Sequence, residues 1–166
     1  MSTSPPATTT NETRIEVDPD VPLVRITREF DAPVAKVIRA HTDPDLIVAW
    51  LGPRDLAMRI DHWDCRTGGA YRYVHSRGEH QFAFHGCFHD VRPDKLIVQT
   101  FTWEGMPDGV ALEKVRFTDL GGGRTRLTAT SLVDSFADRD AFVAGGMEGG
   151  IRDGYAKLDE LLAAQG

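Results

Sequence analysis

The sequence is poor in cysteine and in long apolar runs, and each shortage excludes a class of protein. Two cysteines, Cys65 and Cys87, cannot form the disulfide framework of a small secreted domain. No stretch reaches the roughly 20 apolar residues that a membrane span requires. The N-terminus lacks the basic start and the apolar run of a secretory signal. We therefore expect a reduced, cytoplasmic protein.

Basic side chains are outnumbered, with 19 Lys and Arg against 25 Asp and Glu and a net charge of −6. This charge argues against a nucleic-acid partner, because the backbone phosphates would be repelled. The sequence also lacks a nucleophile elbow, a phosphate-cradling loop and a dinucleotide fingerprint. Of its 166 residues, 41% are hydrophobic, which is ordinary for a globular domain.

The first 20 residues are rich in Ser, Thr, Pro and acidic residues, which predicts a disordered tail. A single domain is expected over residues 21–166. Its first strand is indicated by the alternation of apolar and polar residues from Pro22 to Phe30. Two short helices should follow, with caps at Asp31-Ala32-Pro33 and at Thr42-Asp43-Pro44.

Beyond residue 56 the apolar residues recur with a period of two, which indicates a series of strands. Turn signals based on glycine and proline separate them. We predict strands near residues 56–65, 70–77, 80–92, 95–104, 111–119 and 124–133. Consecutive strands with short turns pair antiparallel. The pattern predicts an α+β protein whose seven-stranded antiparallel sheet must curve and be covered on its apolar face.

A single long helix is predicted from Ser135 to Ala164, with Ser135 as its N-cap. Helical spacing places its apolar residues on one arc, made of Val143, Met147, Ile151, Leu158, Leu161 and Leu162. Gly150 and Gly154 lie in the same arc, although each glycine costs a helix about 1 kcal/mol. These glycines withhold side-chain volume, either for a ligand or for close packing.

Several segments, taken in order, resemble a known family. They are Arg28–Pro33, Thr42-Asp43-Pro44 with Trp50–Pro53, Asp64–Tyr73, Gly86, Arg92-Pro93, Gly122–Thr125, Gly146-Met147 with Gly150, and Leu158-Asp159 with Leu161. Together they resemble bacterial homologues of the activator of the ninety-kilodalton heat-shock chaperone's ATPase (AHSA-type). These proteins belong to the START-like superfamily, also called SRPBCC or birch-pollen-allergen-like. The resemblance extends over residues 21–164.

The resemblance implies a helix-grip fold, in which a seven-stranded sheet wraps around the C-terminal helix and encloses a hydrophobic cavity. The superfamily includes lipid and hormone carriers, polyketide cyclases and oxygenase domains, so fold alone does not give function. The chaperone-activating eukaryotic members have an additional N-terminal domain, which this sequence lacks. Members of this fold often pair, which makes a homodimer an expectation.

Large apolar and aromatic residues, together with the helix arc, are the candidates for contact with a ligand. The candidate ligand-binding residues are Trp50, Met58, Trp63, Tyr71, Tyr73, Phe84, Phe101, Trp103, Phe117, Met147, Gly150, Ile151, Gly154 and Leu158. Such a set also describes an ordinary core, so both interpretations stay open. Tyrosine and tryptophan bring a polar tip that can orient a ligand in an apolar cavity.

His85, Cys87 and His89 share one face of a predicted strand and are side-chain types that zinc accepts. Residues along an extended strand lie too far apart to meet on one ion unaided, so no metal site and no cofactor are predicted. Candidates for acid–base chemistry are His41, His62, His75, Asp61 and Glu104, but no spacing pairs them. No catalytic residue is assigned.

Three functions follow from this interpretation. The first is non-catalytic binding of a small hydrophobic molecule between the sheet and the terminal helix, with a stress-related role as a further expectation. The second is an enzyme of the cyclase or hydrolase type that uses the same cavity. The third is a co-chaperone-like module that binds a protein through the outer face of the sheet.

Overall fold

The computed structural model describes residues 11–165, which form eight strands and four helices. The strands are β1 (Arg14–Val17), β2 (Leu23–Phe30), β3 (Ala57–Trp63), β4 (Ala70–Arg77), β5 (His80–Arg92), β6 (Leu96–Trp103), β7 (Ala111–Gly121) and β8 (Arg124–Leu132). The helices are α1 (Val34–Thr42), α2 (Pro44–Ile47), α3 (Phe136–Ala144) and α4 (Met147–Ala164).

All eight strands form one antiparallel sheet in the order β1-β2-β8-β7-β6-β5-β4-β3. The seven predicted strands are present, with ends that differ by at most two residues. The two short helices lie between β2 and β3, as predicted. This is the α+β helix-grip architecture.

The strand β1 is an addition to the predicted sheet, which therefore has eight strands and not seven. It pairs with β2 and places Ile15 opposite Ile26. The prediction of a disordered tail is consequently wrong for residues 14–17, while residues 1–10 lie outside the described part of the chain. Four residues give too short an alternation to be recognised from sequence, and Ile15 alone packs against the core.

Pairing register gives the sheet one apolar inner face. On β2 the buried residues alternate strictly with half-buried ones, and Phe30 and Val24 are fully buried. Irregularities interrupt the register in β3, β5 and β7. Such bulges bend strands and increase their twist. The sheet curls accordingly around α4, whose Leu158 is fully buried within the same core.

The predicted terminal helix is two helices, α3 and α4, so the prediction of one continuous helix is wrong. Gly145 and Gly146 separate them, and Gly146 has a φ of +90°, in the left-handed region that glycine adopts most readily. The N-cap prediction is confirmed, because the Ser135 hydroxyl accepts a hydrogen bond of 3.0 Å from the Asp138 amide. The helical spacing of apolar residues continues across the break, so the sequence periodicity does not reveal that the helix is interrupted.

A partly buried ion pair connects α4 to the sheet. The Arg28 guanidinium, on the inner face of β2, donates to both carboxylate oxygens of Asp159 at 3.0 and 2.5 Å. It also donates to the Glu29 carbonyl oxygen at 2.8 Å. Arg28 is only 4% exposed, so its charge depends on these partners for compensation.

Among residues 11–165, no helix combines the length and the apolar character needed to cross a bilayer.

We expect Asp159→Asn to lower the free energy of unfolding by about 3 kcal/mol, because it leaves the Arg28 charge buried without a counter-charge. Glu160→Gln is the matched control, since Glu160 pairs with Arg54 on the surface and should matter by less than about 1 kcal/mol. Urea unfolding of both variants measures the difference. An Asp159→Asn variant as stable as the control would contradict the anchoring role.

Candidate functional site

A row of aromatic rings runs across four strands on the inner face of the sheet. Tyr71 and Tyr73 of β4 stack with centroids 6.0 Å apart. Tyr73 stacks on Phe84 of β5 at 5.3 Å, and Phe84 stacks on Phe101 of β6 at the same distance. Trp63 of β3 adds a further ring 5.8 Å from Tyr71. We call Trp63, Tyr71, Tyr73, Phe84 and Phe101 the aromatic row.

Burial divides this row. Tyr71 and Tyr73 are buried, whereas Trp63, Phe84 and Phe101 keep partial exposure although they lie on the inner face. Other candidates that keep partial exposure are Met58 of β3 and Met147 and Ile151 of α4. The inner face is thus less tightly covered here than around Leu158 and Phe30.

Beside the aromatic row lies a polar group that the sequence interpretation missed. In the pairing register Glu113 of β7 stands between Gln99 of β6 and Ser131 of β8. The Gln99 amide donates to a Glu113 carboxylate oxygen at 3.1 Å and to the Tyr71 hydroxyl at 3.4 Å. The Tyr71 hydroxyl donates in turn to the Thr100 carbonyl oxygen at 2.6 Å. Glu113, Gln99 and Ser131 are called the polar cluster below.

Ser131 is the third member of the polar cluster, and the cluster does not use its full hydrogen-bonding capacity. Its side chain is 4% exposed and faces the Glu113 carboxyl, yet its hydroxyl has no hydrogen bond of ordinary geometry within residues 11–165. Buried polar groups are nearly always paired, and an exception requires an explanation.

Burial raises the pKa of Glu113 from 4.5 to about 7, against the opposing effects of the Gln99 hydrogen bond and of the nearby Ser131 hydroxyl. Burial also raises the pKa values of Tyr71, Tyr73 and Tyr155, and the negative charge of Glu113 adds to each of these shifts. Three tyrosines therefore lie within electrostatic range of one carboxyl. Glu113 is surrounded by protein but still keeps partial exposure.

The sequence contains a signal for Glu113. Inner-face positions on β7 follow the alternation Ala111, Glu113, Val115 and Phe117. Three of these four are apolar, and the acidic residue occupies a place where an apolar one would be expected. An out-of-pattern carboxyl on a core-facing position is a candidate functional group.

Three predicted ligand-binding residues outside the aromatic row belong to the closed core. Trp50, Phe117 and Leu158 are 3%, 5% and 0% exposed. The Trp50 indole donates to the Ala40 carbonyl oxygen at 2.9 Å and stacks on Tyr155 at 6.0 Å. Their contacts fit the ordinary-core interpretation. Trp103 lies at the other extreme, because it is 40% exposed at the end of β6.

The two glycines of the helix arc face a loop and not open space. A Cβ at Gly154 would lie 3.3 Å from the Trp50 carbonyl oxygen and 3.4 Å from the Gly52 nitrogen. A Cβ at Gly150 would lie 3.4 Å from the Pro53 ring. Of the two alternatives drawn from sequence, this geometry fits close packing of α4 against the α2–β3 loop.

His85, Cys87 and His89 share a face as predicted, and all three are exposed on the outer side of the sheet. His85 hydrogen-bonds to Glu104 at 3.0 Å. Bidentate hydrogen bonds from Arg72, reinforced by His85, lower the pKa of Glu104 to about 2. Within residues 11–165, no three His, Cys, Asp or Glu side chains are close enough to hold one metal ion.

The remaining acid–base candidates are dispersed. Burial lowers the pKa of His41 to about 4, and its ring lies between Trp50 and Phe117. His75 is buried beside Gly52, and burial lowers its pKa as well. His62 and Asp61 are exposed. The structure therefore does not bring these residues together.

Two surface clefts lie away from the aromatic row. One, of about 400 Å³, is bordered by β1, β2 and Arg152, and the other, of about 450 Å³, lies on the outer side of β5, β6 and β7. Charged side chains form much of both linings, including Arg28 and Arg126 in the first and Lys114 and Arg116 in the second. Neither matches the apolar site predicted from sequence.

A sheet curled around a C-terminal helix, with an aromatic inner face, defines a protein of the helix-grip class. Residues 31–163 match the family described as Activator of Hsp90 ATPase homolog 1-like protein, and the chain belongs to this family. No match was found among functionally curated proteins.

Solved structures of similar fold come from several bacteria. A protein of Rhodobacter sphaeroides is 25% identical, with a TM-score of 0.82 over 92% of this chain and 100% of its own. A protein of Arthrobacter aurescens is 23% identical, with a TM-score of 0.83 over 91% of each chain. DynU16, from the dynemicin biosynthetic locus, is 21% identical, with a TM-score of 0.63 over 85% of this chain and 47% of its own. The likenesses to the Arthrobacter protein and to DynU16 show the fold alone.

Close packing at Gly154 leads to a stability prediction. Gly154→Leu should lower the free energy of unfolding by about 2 kcal/mol or more, since the side chain would meet the backbone of the α2–β3 loop. Gly149→Ala, on the open side of the same helix, should raise it by about 0.5 kcal/mol through helix propensity. Urea unfolding compares them, and a tolerated Gly154→Leu would show that the space beside this glycine is open.

Glu113 should make stability depend on pH. Because its pKa is raised from 4.5 to about 7, the folded state binds more protons than the unfolded state between these values. Its contribution to stability therefore falls as the pH rises through this window. We expect Glu113→Gln to gain about 1–3 kcal/mol relative to the wild type between pH 5 and pH 8. Urea unfolding at both pH values measures this gain.

Glu79→Gln is the control for that experiment, because Glu79 lies exposed in the β4–β5 turn. The control should keep the same difference from the wild type at both pH values. If Glu113→Gln behaves in the same way as the control, the carboxyl does not carry a raised pKa.

Proposed function

We propose that this protein binds a small, largely apolar molecule between the inner face of its sheet and the helix α4. The observation that carries the proposal is the partial exposure of Trp63, Phe84 and Phe101, three members of the aromatic row on the inner face of the sheet. Large apolar side chains that lie on a core-facing surface and still keep exposed area offer contact surface to a ligand. Glu113, surrounded by protein yet partly exposed, lies on the same face.

The chemistry of these residues suits such a ligand. Removing apolar surface from water yields about 25 cal/mol per Å², so contact with Phe84 and Phe101 would favour an aromatic or aliphatic body. Ligand sites are typically apolar with a few polar groups that fix orientation. The polar cluster and the Tyr71 hydroxyl supply these groups at one side of the aromatic row.

Catalysis of the cyclase type is a second candidate, and one observation favours it. A carboxyl with a pKa near 7 exchanges protons readily at neutral pH, which is what a general acid or base requires. The structural likeness to DynU16, from a biosynthetic locus, is compatible with this candidate. Binding is common to both candidates, so binding is the property to test first.

The co-chaperone, homodimer and stress-related expectations stay predictions. Apolar side chains exposed among residues 11–165 belong to separate segments of the chain, namely Val17 and Val21, Val48, Trp103 to Val110, and Leu132 with Phe136.

The neutral fluorescent probe N-phenyl-1-naphthylamine tests the proposed site. We expect saturable fluorescence enhancement with the wild type and affinity at least about tenfold weaker with Val115→Phe, whose larger side chain would occupy the inner space. Val110→Phe is the matched control, because Val110 is 47% exposed in the β6–β7 connection. It should bind as the wild type does.

Folding of each variant is checked by its melting temperature. A folded Val115→Phe variant with unchanged probe affinity would contradict the proposed site, and so would a severe loss of stability, because the added ring would then have no space. Native mass spectrometry of the protein purified from its own host would identify a co-purified molecule.

A further inference from the structure

The polar cluster contains an acidic group for which the protein supplies no opposite charge. Glu113 accepts a hydrogen bond from the Gln99 amide, and its neighbours across the strands are that amide and the Ser131 hydroxyl, neither of which carries a charge. A buried carboxylate with neither a cation nor a full set of hydrogen bonds is costly. A group on a bound ligand could compensate the charge of this carboxylate.

The basic side chains near this part of the fold either pair with other carboxylates or lie on the outer face of the sheet. Arg28 is on the inner face, but both its amino groups hydrogen-bond to Asp159. On β7 itself, Lys114 and Arg116 alternate with Glu113 and are exposed on the outer face. Arg72 of β4 also points outward, where it binds Glu104 and Asp61.

The environment of Glu113 is at the same time favourable to a cation. Tyr71 and Tyr73 of β4 and Tyr155 of α4 are the titratable groups close enough to sense its charge. All three keep their hydroxyls neutral because burial raises their pKa values far above neutrality. Aromatic faces attract cations, and the attraction grows where water is excluded.

We propose that the ligand of this site is an apolar molecule with a protonated amino group, and that the amino group pairs with the Glu113 carboxylate beside the aromatic row. This inference rests on the proposed function and names its ligand class. The ammonium group would donate to the carboxylate, and the Ser131 hydroxyl oxygen would accept a further hydrogen bond from it. The apolar body would lie against Phe84 and Phe101.

Proton linkage follows from this pairing. An ammonium ligand requires the ionised carboxylate, so Glu113 must lose its proton on binding below about pH 7. An alkyl ammonium has a pKa of about 10, similar to lysine, and stays charged throughout the range. Affinity for the amine should thus rise with pH up to neutrality and then level off.

Three probes with one indole ring and different end groups test the proposal by isothermal titration calorimetry. They are tryptamine, which is cationic, tryptophol, which is neutral, and indole-3-propionate, which is anionic. The wild type at pH 7.5 should bind tryptamine at least about tenfold more tightly than tryptophol, and indole-3-propionate least tightly. Tryptamine affinity should also increase about tenfold or more from pH 5.5 to pH 7.5.

Two further measurements locate the effect at Glu113. Titration at pH 6 in buffers of different ionisation enthalpy should show release of about one proton with tryptamine and none with tryptophol. Glu113→Gln should bind both probes to within about twofold of each other, whereas the surface control Glu79→Gln should keep the wild-type preference. If Glu113→Gln fails to fold, the number of protons that the wild type releases on binding tryptamine still tests the inference.

The possible results separate this inference from the proposed function. Equal affinity of the wild type for tryptamine and tryptophol would overturn the inference and leave the apolar site standing. A preference for tryptamine that persists in folded Glu113→Gln, or tighter binding of indole-3-propionate, would also overturn it. Failure of all three probes together with N-phenyl-1-naphthylamine would contradict the proposed function, and the inference with it.

Discussion

The structure depends on the contact between α4 and the inner face of a curved sheet. An antiparallel sheet with one apolar face must have that face covered, and α4 covers it together with α1, whose His41 ring lies 5.0 Å from that of Phe117 on β7. Arg28 and Asp159 fix the position of the helix with two charge-assisted hydrogen bonds. On the opposite side of the helix, Gly150 and Gly154 allow the α2–β3 loop to approach closely. The helix is therefore held from two directions.

The two halves of α4 differ in how deeply their side chains are buried. Tyr155, Leu158 and Leu162, in the later turns of α4, are buried in the core, whereas Met147 and Ile151, in the first turns, are only half-buried. The first turns follow directly on the Gly145-Gly146 break, where the chain is least constrained by side chains. A ligand space is best supported beneath this half of the helix.

Much of the fold could be predicted from the sequence, because alternation and turn residues determine strands locally. The limits of β4 and β5 agree with the structure to the residue, and the Ser135 cap is present. Local sequence patterns do not predict features that depend on contacts between distant parts of the chain. The four residues of β1 become a strand by pairing with β2, and the two-helix terminus depends on a left-handed Gly146 that periodicity cannot show.

The candidate site was predictable in its apolar part, whereas its polar part left one signal in the sequence, the acidic residue in the apolar alternation of β7. An aromatic residue on a strand can be assigned to a face from alternation alone, which is how the aromatic row was anticipated. Whether it meets open space or a filled core depends on the sheet's curvature, and Trp50 and Phe117 prove to be core. Glu113 became significant only once the register placed Gln99 and Ser131 beside it.

The central claim is that Glu113 lies in the apolar interior without a compensating cation. Carbon-13 NMR of the Glu113 side-chain carboxyl during a pH titration of the free protein tests it most directly. We expect a titration midpoint near 7, which a bound amine would shift to lower pH. A midpoint near the ordinary value of 4.5 would show that the carboxyl is solvated or already paired, and it would contradict the account.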